Sequence, residues 1–239
     1  MTSSTEHDQP SPPALGRLTR LRLKDHTMES ALQELSEVAK VAVTGASEVS
    51  VTLVVKDNAN TAATTGDLAL QLDEGQYERG YGPCLDAAAS GEVMHIDDMA
   101  TETRWADYTR EALRRGAASS LSLPLVVDED KKVAAALNIY STSAHGFDQT
   151  ARRTAISVAS AGEALLANLY EHDGSRQLVR QLAQALETRP VIDQAKGILM
   201  RDRNCTASEA FDLLVAASQR TNRKLRTIAQ DVVDSVASQ

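Results

Sequence analysis

The stretch Arg189-Pro-Val-Ile-Asp-Gln-Ala-Lys-Gly-Ile-Leu-Met-Arg201 decides how the C-terminal part of the chain is read. Arg189, Lys196 and Arg203 recur every seven residues, close to two turns of α-helix, so the three cations fall in one row. Ile192, Ala195 and Leu199 form an apolar stripe beside that row. This predicts that the stem of Lys196 lies on the core margin while its ammonium stays in water. A turn at Asn204-Cys205 and the capping box Thr206-Ala-Ser-Glu209 open a second helix, along which Ala210, Phe211, Leu214, Val215 and Ser218 recur at helical spacing. After a break at Thr221-Asn222, the residues Leu225, Ile228, Ala229, Val232, Val233 and Val236 repeat the pattern. Three short helices around one small core follow from this spacing. Between Arg189 and Arg226 there are eight Lys/Arg against four Asp/Glu, a local net of +4 in a chain whose net charge is -8. The basic patch is confined to one module, and such confinement is the footprint of an anionic partner.

Ala195-Lys196-Gly197-Ile198-Leu199-Met200, Glu209-Ala210-Phe211-x-x-Leu214, Ser218-Gln219, Asn222-x-Lys224-Leu225 and Ile228-Ala229-x-x-Val232-Val233 together resemble the ANTAR module of bacterial antiterminators, over Arg176 to Val236. The resemblance implies a three-helix RNA-binding domain that stabilises an antiterminator structure in a nascent transcript, usually as a homodimer joined through a preceding coiled coil. It implies that RNA stem-loops are bound by Arg189, Ala195, Lys196, Gly197, Arg201, Arg203, Asn222, Arg223 and Lys224, the small Ala195 and Gly197 letting a backbone come close. The module holds one aromatic, Phe211, on an apolar stripe. Base stacking on aromatics is therefore closed to it, and shape recognition through phosphate contacts is expected. Pro190 departs from the family pattern, which would run a helix through it. Proline is tolerated at the first helical position, with Thr188 as the cap, and kinks a helix interior. Two alternatives stay open: a DNA-binding transcription factor and a ligand-sensing dimerisation adaptor. Against the first, a recognition helix at Asn222 to Val236 would carry its bases only in its first turn, with Asp231 and Asp234 later.

The whole chain has 239 residues, 42 % hydrophobic and 24 % charged, ordinary soluble material with room for two domains. Cys84 and Cys205 make no disulfide framework or metal-spacing pattern, and neither a membrane-spanning apolar run nor a secretory leader occurs. A cytoplasmic protein without a membrane partner is expected. Residues 1–26 read as a disordered tail and a basic lead-in. From Met28, the positions Leu32, Leu35, Val38, Ala39 and Ala42 mark an amphipathic helix that stops near Gly45. Val49, Val51, Leu53 and Val55 alternate with polar or solvent-side residues, the period of a half-buried strand. Leu121, Leu123, Leu125 and Val127 do the same. Ala135, Leu137 and Ile139 continue the alternation after the polar turn Asp128-Glu-Asp-Lys131. Ser119 to Tyr140 is thus a hairpin, with Pro124 at an edge or bulge. Helix-like pieces at Leu85 to Ser90 and Arg104 to Arg115 complete an α+β domain around an antiparallel sheet.

Leu72-Asp73-Glu74-Gly75-Gln76-Tyr77-x-x-Gly80-x-Gly82-Pro83-Cys84-Leu85-x-Ala87, Trp105-x-x-Tyr108, Leu123-Pro124-Leu125 and Ala136-Leu137-Asn138-Ile139-Tyr140 resemble a GAF domain, in the variant commonly fused to ANTAR modules. Ala135 stands where that pattern has glycine. The likeness implies a small-molecule sensor or dimerisation module, an antiparallel sheet flanked by helices, and it names no ligand. Its domain limits would be 27–172, followed by a helical linker at 173–188 and the ANTAR domain at 175–237. A helix from Phe147 to Tyr170, a break at His172-Asp-Gly-Ser175 and the stripe Leu178, Val179, Leu182, Ala183 and Leu186 predict a coiled coil leading into Arg189. So much apolar helix surface predicts a homodimer, with Gly174 and Pro190 as hinges.

No nucleophile elbow, phosphate-binding glycine loop, HExxH or paired Cys/His set occurs. The chain is therefore read as a non-enzyme with no cofactor and no metal. Cys84 follows Gly-Pro at a helix start, where the dipole would lower a thiol pKa; a redox sensor and a small buried hydrophobe are both compatible, and the second is preferred. Trp105 and Tyr108 are read as core, and Asp73-Glu74 and Asp128-Glu129-Asp130 as solvated turns.

Overall fold

Both faces of the strand alternation are buried. In the computed structural model, which describes residues 15–18, 27–55, 58–128, 133–173, 188–221, 223 and 225–237, Val49, Val51, Leu121, Leu123, Leu137 and Ile139 lie within 1 % of full burial. Their neighbours Ser50, Thr52, Ser120, Ser122, Asn138 and Tyr140 are at 0 % exposure. The expected solvent side of the strands is instead the floor of a second interior. The reason is that helices cover the sheet twice.

The chain divides into two compact units, Met1–Leu178 and Val179–Gln239. In the first, a short helix α1 (Leu15–Leu18) and α2 (Met28–Ala42) precede β1 (Glu48–Val55), β2 (Asn58–Thr64), α3 (Asp67–Arg79), α4 (Pro83–Ser90), β3 (Met94–Ile96), α5 (Ala106–Arg115), β4 (Ser119–Asp128), β5 (Val133–Ser141) and α6 (Gln149–Asp173). The sheet is antiparallel with strand order β2-β1-β5-β4-β3. Thr27 caps α2, accepting from the Ser30 amide at 3.2 Å. α2 and α6 cover the apolar sheet face, and they come close because Gly162 has no Cβ; one would lie 2.7 Å from a Leu35 methyl. Hence the Leu165 and Leu166 side chains of α6 are spent inside the unit, and this helix contributes less exposed apolar surface than the sequence leads one to expect. Among the described side chains of α6, Ile156 is the large apolar one left exposed, at 49 %.

β4 pairs with β5 from Ser119↔Ser141 to Asp128↔Val133, as the hairpin reading has it. Pro124 lies beyond Ser122, the last residue of β4 opposite β3, so its missing N–H falls where β4 is itself the edge. The other face lies under α3 and α4, with α5 packed against α3. α3 buries Ala69, Leu72, Asp73, Gln76 and Tyr77, so Asp73, expected in a solvated turn, is at 0 % exposure. Residues 129–132, the tail at 1–14 and the linker stripe Leu178 to Leu186 lie outside the described residues.

The second unit consists of α7 (Thr188–Arg203), α8 (Ala207–Thr221) and α9 (Leu225–Ala237). Pro190 falls in the first turn of α7, where an amide has no intrahelical acceptor to lose. Asn204, at φ 48°, ends that helix in the left-handed conformation, and the Cys205 amide donates back to the Met200 carbonyl at 3.3 Å. The capping box then forms in both directions. The Thr206 amide donates to Glu209 Oε2 at 2.8 Å and the Glu209 amide to Thr206 Oγ1 at 3.3 Å. Thr206→Ala is expected to lower the stability of this unit by about 1 kcal/mol, seen as a lower melting midpoint for it alone. Ala195, Leu214, Ile228 and Ala229 form its centre.

Candidate RNA interface and sensor interior

α7 presents three of its sides differently. The core side carries Ala195, at 0 % exposure and packed with Leu214 and Ile228; it is a packing residue, not the surface notch the sequence suggested. The second side carries the seven-residue row. Lys196 is only 6 % exposed, and its ammonium stands 5.7 Å from the centroid of the Phe211 ring. The expectation of an ammonium held in water is corrected: α8 places an aromatic face over that line, and a cation–π contact with a buried stem replaces solvent. Arg203 ends the row exposed. Arg189 starts it in the first turn of α7, and its side chain, like Asn222 and Lys224, lies outside the described residues.

The third side is a groove. Gln194, Gly197, Ile198 and Arg201, at three- and four-residue spacing, face Val233 and Val236 of α9 across an open volume of about 440 Å³. A Cβ on Gly197 would meet no atom within 4 Å, so nothing inside the chain demands a glycine there. Arg201 is 69 % exposed and pairs with Asp202 at 3.0 Å. Arg223 pairs with Asp231 at 2.7 Å, and its backbone closes the turn after α8, its carbonyl accepting from Ser218 Oγ at 2.6 Å. Arg220, which the sequence reading left out, is exposed near the end of α8; its position outside the motif gave no signal. Phe211 is 4 % exposed and so does not stack on bases from the surface.

The interior of the first unit is polar. The Tyr140 hydroxyl donates to Asp73 Oδ1 at 2.6 Å, Thr61 Oγ1 donates to Asp73 Oδ2 at 2.8 Å, and Asn138 Nδ2 reaches Thr52 Oγ1 at 2.8 Å and Asp73 Oδ1 at 3.3 Å. Burial outweighs these donors and pushes the Asp73 carboxyl up to about 6. The Gly-Pro-Cys turn has a role in this layer. Gln76 Oε1 accepts from the Cys84 amide at 2.8 Å, and a Cβ on Gly82, at φ 152°, would sit 2.4 Å from that oxygen. Cys84 is fully buried, and burial, reinforced by the Asp73 charge, pushes its thiol well up. Desolvation overcomes the helix dipole here, which leaves the buried-hydrophobe reading.

Trp105 and Tyr108 are core, with Ile96, Met99 and Tyr140 around them. The indole Nε1 donates to Asp86 Oδ2 at 2.8 Å, and the Arg104 guanidinium lies 4.4 Å over the ring. His95 and His145, scattered in sequence, both approach Asp97, at 3.7 and 2.6 Å. Among the described residues no group of three His, Cys, Asp or Glu is placed to hold a metal, and no helix is long and apolar enough to cross a membrane.

The profile of the GAF domain family matches residues 25–167, and that of the ANTAR domain matches residues 180–233. No curated protein sequence matches the chain. Among solved structures, the phycoerythrobilin-bound GAF domain of a cyanobacterial phytochrome is similar at 11 % identity and TM-score 0.53, covering 67 % of this chain and 96 % of that one. The chromophore-binding domain of a bacteriophytochrome from R. palustris is 12 % identical at TM-score 0.50, covering 67 % and 60 %. Identities this low establish the fold alone. ANTAR domains serve RNA-binding antitermination and GAF domains signal sensing, both regulatory roles. With a GAF domain matched over more than half of its 239 residues and an ANTAR domain behind it, the chain belongs to the GAF and ANTAR domain-containing proteins.

Proposed function

We propose that the chain is a signal-responsive antitermination regulator that binds a stem-loop of nascent RNA through α7, α8 and α9, as a homodimer whose GAF domain responds to a small molecule. The observation that carries the RNA reading is the pairing of a local excess of cations with the groove at Gly197. Arg201 lines that groove and Arg203 and Arg220 are exposed elsewhere on the module, whose residues 189–226 carry a net charge of +4. A helix-interior glycine costs about 1 kcal/mol against alanine, and no internal contact accounts for it. An approaching backbone does. Lys196 contributes by fixing α7 against Phe211, while the arginines supply the phosphate contacts.

Gly197→Ala is therefore expected to act with opposite signs, raising the stability of the unit by about 1 kcal/mol while weakening stem-loop binding. Binding as tight as wild type would remove the groove from the interface. Arg203→Ala should flatten the dependence of log affinity on log salt by roughly 0.7, one phosphate contact. In competition, a folded stem-loop should displace bound RNA and duplex DNA of equal charge should not; equal displacement would reduce the surface to an unspecific basic patch. Sedimentation of the full chain at tens of micromolar reads the homodimer, and a monomer there would remove it.

A further inference from the structure

The polar face of the sheet holds more hydrogen-bonding atoms than the chain satisfies. Asp73 is at 0 % exposure, and among the described residues no Lys, Arg or His is buried with it in this unit. Its partners Tyr140, Thr61 and Asn138 are neutral donors. Three further buried atoms have no partner, Ser120 Oγ, Ser122 Oγ and Asn138 Oδ1, and Tyr108 Oη has only the Tyr140 hydroxyl beside it. They share one layer. Register sets Ser122 opposite Asn138 and Ser120 opposite Tyr140, and Tyr108 packs in the same cluster as Tyr140. The Asn138 amide is oriented by acceptors on its nitrogen side, Ser50, Thr52 and Asp73, so Oδ1 is the atom left over. Buried polar groups in folded proteins are almost always paired, and unpaired ones ask for a reason.

The set has a definite chemistry. A carboxylate and an amide oxygen only accept, and the hydroxyls can accept as well. An anionic ligand would be repelled by Asp73, and an apolar one would leave every orphan unpaired. We propose that this interior is the ligand site of the sensor and takes a small molecule with an ammonium or amidinium nitrogen, Asp73 supplying the counter-charge and Asn138 Oδ1, Ser122 and Tyr108 its further partners. The proposal rests on the sensing reading given above.

The probes are methylammonium, ethylenediamine and acetamidinium chlorides against acetamide and matched potassium chloride, with the melting midpoint of the full chain at pH 7.5 as readout. The cationic probes should raise the midpoint of the sensor transition and the neutral controls should not, because only a ligand of the native state shifts that equilibrium. Asp73→Asn should weaken apparent binding at least tenfold, and Ser122→Ala, whose hydroxyl makes no hydrogen bond within the fold, about threefold. At pH 4.5 the wild-type response should vanish. The other titratable groups facing Asp73 are Tyr77, Cys84, Tyr108 and Tyr140, all raised by burial, and none changes charge between these pH values. Equal responses of wild type and Asp73→Asn would place the probes on surface carboxylates and overturn the proposal. No response at all would mean an interior too closely packed to admit a guest, and would overturn it too. A deproteinised cell extract depleted of cations separates the two readings: if it shifts the midpoint and the RNA affinity while the amines do nothing, sensing stands and the cation site falls. If neither acts, both fall.

Discussion

Leu214→Asp is expected to abolish the folded C-terminal unit and with it more than a hundredfold of RNA affinity. Leu214 is 1 % exposed and touches Ala195 of α7 and Ile228 and Ala229 of α9 through one cluster, so it is where the three helices meet. Removing a buried leucine costs about 2–5 kcal/mol, and a carboxylate left there without a partner adds several more. A domain of this size rarely has more than about 3–5 kcal/mol to lose. The substitution therefore exceeds the whole stability of the unit. Circular dichroism should show the loss of the helices of residues 188–237 while the transition of the sheet-containing unit persists. Full helicity together with wild-type RNA binding would mean that the three-helix core is wrongly assigned. Arg203→Ala makes the useful contrast, because it should change the salt slope and leave both transitions alone.

The parts of this molecule that were legible in its sequence are those whose pattern is carried by apolar periodicity. α2, the β4–β5 hairpin and the capping box at Thr206 fall where spacing put them, because Leu, Val and Ile at period two or 3.6 leave few alternatives. α3, β2 and β3 were not read. β2 is Asn-Ala-Asn-Thr-Ala-Ala-Thr, an edge strand without large apolar residues, and β3 has only three residues. In α3 the buried face itself is polar at Asp73 and Gln76. A signal was available there. Asp73 lies four residues from Ala69 and from Tyr77, on the face that Leu72 also shares, but a charge on an apolar stripe reads as an interruption unless a second polar layer is suspected. The cations of the C-terminal unit were countable, yet their exposure was not. Heptad spacing aligned Lys196 with Arg203, and only the path of α8 decides that Phe211 covers the first and leaves the second in water. Where one partner of a contact comes from another helix, a single-helix projection cannot assign the surface.

Asp73→Asn is expected to stabilise the sensor unit at neutral pH, and to do so only there. The carboxyl is pushed up to about 6 in the folded chain from an ordinary 3.8, chiefly because burial penalises its charge. A carboxyl raised on folding binds its proton more tightly in the native state, so the stability it contributes is complete below pH 4 and is lost as pH rises through 6. The difference between 3.8 and 6 corresponds to about 3 kcal/mol at neutral pH. Asparagine keeps the shape and carries no charge. Its Oδ1 can still accept from the Tyr140 hydroxyl, and its amide can donate to Thr61 Oγ1, a hydroxyl that also lies 3.0 Å from Tyr77 Oη and can turn round. The gain should fall somewhat short of that figure, since one amide hydrogen is left without an acceptor, and should raise the melting midpoint of a unit this size by on the order of 5 °C at pH 7.5. Below pH 4.5 the two proteins should melt together. Chemical denaturation at both pH values gives the same comparison as free energy. An Asp73→Asn chain less stable than wild type at pH 7.5 would show that the ionised carboxylate holds the fold, and that its donors outweigh its burial. A gain at neutral pH would mean that this chain retains a destabilising charge in its sensor, and charges of that kind are kept for what they bind.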